Sequence, residues 1–269
     1  MESYSIESNK KKSRLPARLD FAQSATGLIL GLFIYMHLLF DSSIIFGKTA
    51  FGFVSGMLEL SFLSDTGHGF PIAVFFAVTV ISILFITHAL LGMRKFPNSY
   101  KQHRIMADQV IMTDHMETKL WYVQAVTGFI MFFTGSVHLY IMFANPGSID
   151  PYLSADRVIS NNMWFLYLIL LICVVLHANI GLYRLCMKWG WFAGPDARKS
   201  RLKLQLLRNR IIIFYLVIGV LGILAFSIIG MGHRGKAGER YLSQVTSVGM
   251  FVGMPQELAQ TRHIAESNE

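Results

Sequence analysis

Five long apolar segments dominate this chain of 269 residues and restrict what it can fold into. Each is long enough to cross the hydrocarbon core of a bilayer, which takes roughly 20 residues of α-helix. Only 15% of the residues are charged, against about 25% in soluble domains. We therefore predict an all-α integral membrane protein. Its five transmembrane helices are expected at residues 22–46, 71–95, 119–144, 162–187 and 211–231.

Four of the five apolar segments contain a single histidine each. These residues are His37, His88, His138 and His177. An ionisable residue within a membrane span is costly and rare, and it usually faces the interior of the bundle. Imidazole is also a common axial ligand of haem iron. Four histidines on four helices are the number that two bis-histidine haems need, so the sequence predicts a four-helix bundle around two stacked haems.

The depth of each histidine along its helix sorts the four into pairs. At 1.5 Å per residue, His37 and His138 lie roughly 22–28 Å from the cytoplasmic end of their spans. His88 and His177 lie roughly 10–15 Å from that end by the same measure. A haem needs both axial ligands at one level on facing helices. We therefore predict that His37 pairs with His138, and that His88 pairs with His177.

The distribution of positive charge predicts the orientation of the chain. Of the 24 Lys and Arg residues, 18 lie on the side that carries the N-terminus and six on the other. The positive-inside rule therefore places the N-terminus in the cytoplasm. Because this topology explains the net charge of +8, no nucleic-acid partner is expected. We divide the chain into a basic cytoplasmic segment 1–20, a five-helix transmembrane di-haem domain 21–232 and a polar periplasmic tail 233–269.

Other kinds of site built from buried histidines would need features that this sequence lacks. A zinc site would need the four histidines at one level, and a proton relay would need carboxylates, which the spans almost lack. No C-x-x-C-H motif is present, so any haem would be held without covalent attachment, as in a b-type cytochrome. Cys173 and Cys186 lie about 20 Å apart in one predicted helix, too far for a disulfide. A haem-free membrane anchor or transporter bundle remains an alternative.

Several local sequences within residues 10–192 resemble one known family. They are KKSRLPARLDFAQSATGL, HALLGMRKFP, LWYVQAVTGFIMFFTGSVHLYIM and LHANIGLYRLCMKWGWF. In them the chain is similar to the di-haem cytochrome b subunit of bacterial quinol:fumarate reductases, in the succinate:quinone oxidoreductase superfamily. The resemblance implies two haem b groups, with the four histidines as their axial ligands.

The resemblance also implies roles for polar residues near the helix ends. The positions that match partners of the haem propionates are Gln23, Ser24, Trp121 and Lys188 near the cytoplasmic-side haem, and Arg157 near the other. Cations and hydrogen-bond donors stabilise such anionic groups. Without the resemblance, the ordinary explanation is favoured: Gln23 and Ser24 as helix N-terminal residues, Trp121 as an interfacial aromatic residue and Lys188 as an interfacial cation. Glu59 matches the carboxylate at the family's quinol site, where it would act as a general base.

The function implied by the resemblance is menaquinol oxidation near the outer face of the cell inner membrane. Electrons would pass through the two haems to an iron–sulfur subunit on the cytoplasmic face, and then to a flavoprotein subunit that reduces fumarate. The chain itself lacks a cysteine cluster for iron–sulfur ligation, and it is not expected to bind flavin. A dimer of heterotrimers is the expected assembly. The same complex working as a succinate:menaquinone reductase, or a cytochrome b of another respiratory dehydrogenase, are the alternatives.

One position departs from the pattern of the family. Some members carry a glutamate two residues before the axial histidine of the fourth span, and it is thought to return protons across the membrane. Here that position is Val175, whose side chain cannot carry a proton. We therefore expect either electrogenic electron transfer or operation in the succinate-oxidising direction.

Overall fold

Eight α-helices build this computed structural model, which describes residues 13–64, 69–96, 99–112 and 115–241. No β-strand occurs within those ranges. Five helices are long and apolar enough to cross a membrane, namely α1, α3, α5, α7 and α8. This confirms the predicted all-α fold with five spans. The helices are α1 (Leu15–Asp41), α2 (Lys48–Leu58), α3 (Pro71–Met93), α4 (Tyr100–Met112), α5 (Met116–Ala144), α6 (Pro151–Ile159), α7 (Trp164–Trp189) and α8 (Ala197–His233).

Large apolar side chains cover the outside of the helix bundle. Phe76 and Ile83 on α3 are 61% and 60% exposed, and Ile213 on α8 is 63% exposed. An apolar surface of this extent on a soluble protein would mark an interaction site or an aggregation hazard. Against lipid tails it is the ordinary outer surface, because the tails are as apolar as the side chains.

Four of the long helices form a closed ring. Helix α1 packs against α3 and α7, and α5 packs against the same two helices from the other side. The fifth long helix, α8, packs against α7 and against the short helix α6. The ring therefore consists of the four helices that carry His37, His88, His138 and His177.

Helix ends follow recognisable sequence signals. Helices α3 and α6 begin at Pro71 and Pro151, where the missing N–H of proline costs no hydrogen bond. The Asp150 carboxylate caps α6, because its Oδ1 accepts hydrogen bonds from Tyr152 N at 2.8 Å and Leu153 N at 3.2 Å. Helix α7 ends before Gly190, whose φ of +67° suits a residue without a side chain.

Two helices extend beyond the predicted spans, and part of one predicted loop is helical. Helix α1 begins at Leu15 rather than near residue 22, so the end of the predicted N-terminal segment is helical. Helix α8 begins at Ala197 rather than at 211, because the Asp196 side chain caps it and Lys, Arg, Leu and Gln all favour helix. Residues 48–58, predicted as part of a loop, form α2.

The beginning of the predicted polar tail folds back onto α6. His233 Nδ1 lies 3.2 Å from Asp156 Oδ1, and Gly238 N donates a hydrogen bond of 2.9 Å to Asp156 Oδ2. Tyr241 N donates to the Asp150 carboxylate. Residues 234–241 are thus tied to α6. Residues 242–269 of the predicted tail lie outside the described residues.

Candidate functional site

The four intramembrane histidines face one another in two pairs inside the ring of helices. The ring centroids of His37 and His138 are 6.0 Å apart, and those of His88 and His177 are 6.3 Å apart. Two imidazoles that bind one metal ion from opposite sides have centroids about 6 Å apart, because each metal–nitrogen bond is roughly 2 Å long. The structure therefore brings together the residues that the depth argument pairs, at a separation suited to a shared ion.

The hydrogen bond of His177 fixes which ring nitrogen is free. Its Nδ1 lies 2.8 Å from the backbone carbonyl oxygen of Gln124 on α5. A carbonyl oxygen only accepts hydrogen bonds, so Nδ1 carries the proton and donates it. In the neutral imidazole, Nε2 then has an available lone pair. This arrangement is typical of metal-binding histidines, whose second nitrogen is held by a carbonyl or carboxylate.

His88 is held in the same tautomer by a hydroxyl group. Its Nδ1 lies 3.1 Å from Thr26 Oγ1 on α1. The Thr26 hydroxyl donates its own proton to the Ala22 carbonyl oxygen, 2.9 Å away, and therefore accepts from His88 Nδ1. Both rings of this pair thus keep Nε2 available as a ligand.

Two glycines make room for the same pair of rings. A Cβ atom added at Gly27 on α1 would lie 2.8 Å from His88 Cε1, and one added at Gly128 on α5 would lie 2.6 Å from His177 Cε1. Contacts this short force the ring to move. Glycine at these positions therefore helps to set where the two imidazoles stand.

The second pair is held by aromatic neighbours. The His37 ring stacks on Phe33 with centroids 5.5 Å apart and an interplanar angle of 7°. The His138 and Tyr167 rings pack at an angle of 84° with their centroids 5.7 Å apart. Among the described residues, the buried His138 Nδ1 has no hydrogen-bond partner. Since an unpaired buried polar atom is destabilising, this ring is suited to binding a group supplied from outside the chain.

A single cavity of about 1160 Å³ connects the two histidine pairs. Its volume exceeds the roughly 300–1,000 Å³ typical of pockets for one small ligand. At one end lies Lys188 and at the other Arg157; we call these the lysine end and the arginine end. The volume, the apolar wall and the two facing histidine pairs fit two large, flat, apolar prosthetic groups, as haems are.

Four residues predicted to bind a propionate lie together at the lysine end. They are Gln23, Ser24, Trp121 and Lys188, and all line the cavity. Lys188 Nζ donates a hydrogen bond of 2.9 Å to Ser24 Oγ and forms an ion pair with Asp20. The buried Oε1 of Gln23 has no partner within the described ranges. Lys188 is the charged hydrogen-bond donor of this polar rim and can stabilise an anionic group there.

The predicted propionate partner at the arginine end is a guanidinium held in place by serines. Arg157 Nη1 donates to both the carbonyl oxygen and Oγ of Ser148 at 2.7 Å, and Nη2 donates to Ser154 Oγ at 2.8 Å. Burial lowers the pKa of Arg157, whereas Tyr167 and Asp41 act in the opposite direction. Arginine remains charged under all ordinary conditions. The arginine end therefore presents a fixed positive charge to the cavity.

Glu59 lies at the same end but outside the cavity wall. It follows the last residue of α2, and its backbone carbonyl accepts a hydrogen bond of 2.6 Å from Phe70 N. Leu58 lines the cavity, but in the described part of the chain Glu59 is not among the lining residues. Burial raises the pKa of Glu59, while Arg240 lowers it and Asp150 raises it further.

The Val175 side chain is packed between α7 and α8. It is 1% exposed and belongs to an apolar cluster with Leu171 and Tyr215. Its backbone carbonyl accepts a hydrogen bond of 2.8 Å from Asn179 Nδ2, and Asn179 Oδ1 accepts one of 2.7 Å from Tyr35. The position is therefore apolar at its side chain and flanked by polar groups on α1 and α7.

Sequence reasoning missed several residues of this site. Asp41 lines the cavity, and a carboxylate four residues after His37 in an apolar span was a signal that the site extends to it. Lys95, just beyond α3, also lines the cavity and forms an ion pair with Asp20. Gln124 gave no signal, because it holds His177 through a backbone carbonyl that any residue possesses.

Comparison with known proteins gives consistent matches. A model of the succinate dehydrogenase/fumarate reductase transmembrane subunit family matches residues 99–220. The fumarate reductase cytochrome b subunit of Wolinella succinogenes is 46% identical over 222 residues, which cover 82% of this chain and 86% of that protein. The protein of the same name from Helicobacter pylori strain J99 is 36% identical over 248 residues, 92% of this chain and 95% of that protein.

Proposed function

This chain belongs to the family of transmembrane cytochrome b subunits of fumarate reductase, and we propose that it is the quinol-oxidising subunit of a menaquinol:fumarate reductase. As a member of that family it sits in a membrane and partners the other subunits of its complex. The observation that carries the proposal is the cavity with a facing histidine pair towards each end. We propose that the partners are an iron–sulfur subunit and a flavoprotein subunit.

His37 and His138 would hold one haem b, and His88 and His177 the other. When bound, haem supplies a one-electron redox centre. Gln124 and Thr26 keep the Nδ1 proton on His177 and His88, so that Nε2 of each ring would have the lone pair to bind iron. The unpartnered Nδ1 of His138 and the ring separations support the same assignment for the other pair.

The polar residues at the two ends of the cavity would hold the haem carboxylates. Lys188, Ser24, Gln23 and Trp121 act at the lysine end, and Arg157 acts at the arginine end. The support is that each lines the cavity and that the cations are already positioned by hydrogen bonds. Charge-assisted hydrogen bonds of this kind are roughly twice as strong as neutral ones.

Glu59 would accept a proton from the quinol at the arginine end. A general base works best when its pKa lies near the operating pH, and burial moves the pKa of Glu59 upwards. Quinol oxidation at this end, with the iron–sulfur subunit at the lysine end, would place both histidine pairs between electron donor and acceptor. In this orientation the lysine end and the N-terminus are cytoplasmic, the membrane is the cell inner membrane, and the assembly is a dimer of heterotrimers.

Val175 favours a second candidate, a succinate:menaquinone reductase built from the same subunits. The buried valine side chain offers no proton-carrying group at the position where the family resemblance implies a glutamate in some members. A potential-sensitive dye in sealed vesicles distinguishes electrogenic from electroneutral turnover. Electrogenic turnover with menaquinol is expected, and electroneutral turnover would contradict the expectation drawn from Val175.

Haem content tests the main proposal. We expect two b-type haems per chain in the purified complex by pyridine haemochrome, with two potentials in a redox titration. His37→Ala and His88→Ala should each remove one haem and leave the other. His115→Ala, at an exposed position before α5, is the matched control and should keep both. Absence of haem from the wild-type complex would contradict the proposal and favour a structural anchor.

A further inference from the structure

Two pairs of helices in this chain repeat the same sequence patterns, and one cation of the repeat lacks the acidic partner that its counterpart has. Resting on the proposed function, we propose that Arg184 raises the reduction potential of the haem that His88 and His177 would hold. In this proposal the positive charge of Arg184 favours the reduced iron, and Arg184 is not a ligand.

The repeat relates α1 to α5 and α3 to α7. Two patterns each occur twice, namely Q-x-x-T-G followed by nine residues and H at 23–37 and 124–138, and H-A-x-x-G-x-x-(K/R) at 88–95 and 177–184. Each half of the ring therefore supplies one histidine to each pair. Lys95 and Arg184, the last residues of the second pattern, occupy equivalent positions.

The structure shows the equivalence in space. A Cβ atom added at Gly92 on α3 would lie 3.6 Å from Gln23 Nε2, and one added at Gly181 on α7 would lie 2.8 Å from Gln124 Nε2. In each half, the glutamine side chain of the first helix thus lies over the glycine of the second. The two halves therefore place their glutamines and their cations in the same relation to the lysine end.

The two halves differ in what neutralises the cation. Lys95 forms an ion pair with Asp20, which lies three residues before the glutamine of its half. The equivalent residue in the other half is Trp121. Arg184 Nη1 instead donates a hydrogen bond of 2.8 Å to the uncharged Gln124 Oε1. Among the described residues, no carboxylate oxygen lies within 4.0 Å of the Arg184 guanidinium, so its charge is held in place without a directly bound counter-ion.

An unpartnered oxygen in the first half supports the comparison. The buried Oε1 of Gln23 has no hydrogen-bond partner within the described part of the chain, whereas the equivalent oxygen of Gln124 accepts from Arg184. The difference follows because Asp20 attracts Lys95 away from Gln23. Only the second half therefore keeps its cation on its glutamine.

The position of Arg184 directs its charge at the histidine pair of the lysine end. Arg184 follows His177 by seven residues, so it lies on the same face of α7 about 10 Å nearer the lysine end. It lines the cavity. The acidic group that faces it at longer range is Glu117 on α5, whose carboxylate accepts a hydrogen bond of 2.6 Å from Tyr183. Glu117 therefore offsets the charge of Arg184 only in part.

The charge acts on the equilibrium between oxidised and reduced iron. An iron held by two neutral imidazoles carries one more positive charge when oxidised, so a fixed cation nearby makes it easier to reduce. At about 10 Å and an effective dielectric constant of about 20, two unit charges change an equilibrium constant roughly tenfold. Arginine keeps its charge at every ordinary pH. One electron arrives from the other haem, and no bond forms or breaks in this step.

A redox titration of the whole purified complex tests the proposal. In a His37→Ala background only the haem at His88 and His177 should titrate, so its midpoint potential can be measured alone. Arg184→Gln, which can still donate to Gln124, should lower that midpoint by about 59 mV, which is a tenfold change in a one-electron equilibrium. Arg184→Lys keeps the charge and should lower the midpoint by less than half as much.

A second variant neutralises the charge without removing Arg184. In Gln124→Glu the new carboxylate pairs with the guanidinium, and the backbone carbonyl that holds His177 stays. The midpoint should fall as in Arg184→Gln, and haem content by pyridine haemochrome should equal that of the background. Arg198→Gln, at an exposed arginine near the start of α8, is the matched control. It should change the equilibrium less than twofold, because water and salt screen its charge.

The remaining outcomes contradict the proposal at different levels. An equilibrium within twofold of the background in both Arg184→Gln and Gln124→Glu would overturn the role of Arg184 alone. If both variants lose the haem at His88 and His177, Arg184 is a structural residue and the proposal is wrong. Absence of haem from the wild-type complex would overturn the proposed function itself.

Discussion

At the scale of single residues, Gly128 determines where the His177 ring can stand. An alanine Cβ would come within 2.6 Å of Cε1 and 2.8 Å of Nδ1, which forces the ring away from the Gln124 carbonyl. We expect Gly128→Ala to lose the haem that we propose for His88 and His177, so that haem per chain falls from the proposed two to one by pyridine haemochrome. Gly232→Ala, where a Cβ meets no atom within 4 Å, should keep both.

The pKa of Glu59 predicts a pH dependence. Burial raises this pKa above its usual range, which is about 4.3 in an unperturbed glutamate. Below the raised pKa the carboxyl is protonated and cannot accept a proton, so quinol oxidation should rise with pH through that value. In Glu59→Gln the rate should fall about 10²-fold or more and this acid limb should disappear. A limb that persists in the variant would assign it to another group.

The position of a site residue along its helix and its direction around the helix axis differ in how well the sequence predicts them. Depth is fixed by a constant rise of 1.5 Å per residue, so the pairing of His88 with His177 follows from counting residues. Rotation about the axis is predictable only relative to a residue whose direction is already known. Asp41 follows His37 by four residues and therefore lies on the same face of α1, which is the signal that was missed. The hydrogen bonds of Thr26 and Gln124 were hidden, since they need the packed ring of helices.

At the scale of elements, the short helices were harder to predict than the long ones. A span of 20 or more apolar residues has no other stable form in lipid, which is why all five were found. Helix α2 was missed because its glycines and short length look like a loop. The basic first part of α8 was missed for a different reason. An apolar segment marks only the part of a helix that lies in the membrane, and α8 extends beyond that part into polar sequence.

The Asp150 cap should matter for the stability of the arginine end. Asp150→Ala removes the acceptor for two N–H groups of α6 and for Tyr241 N. Loss of a cap lowers the free energy of unfolding by about 0.5–2 kcal/mol. Each kcal/mol lowers the midpoint temperature of thermal unfolding by about 2–4 °C in a chain of this size. We expect the haem absorbance of the purified complex to be lost at a temperature a few degrees lower. Asp150→Asn keeps an oxygen acceptor and should melt close to wild type, and equal melting of the two variants would contradict this account.

At the scale of the whole molecule, the charge distribution predicts which end of the five-span bundle is cytoplasmic and which lies on the opposite side of the membrane. The side with 18 of the 24 Lys and Arg residues should be cytoplasmic. We replace Cys173 and Cys186 by serine and introduce one cysteine at an exposed position. Ser160→Cys should react with a membrane-impermeant maleimide in intact cells. Asp108→Cys should react only after the membrane is opened, and the reverse result would invert the topology.

The wall of the arginine end has a kinetic consequence. Helices α2 and α6 both contribute to it, through Phe51, Leu58 and Arg157 among others, and their packing covers this end of the ring. A lipophilic quinol would then arrive sideways from the bilayer rather than from water. Its effective concentration is therefore its mole fraction in lipid, and adding lipid to a fixed amount of complex and quinol should slow turnover by surface dilution.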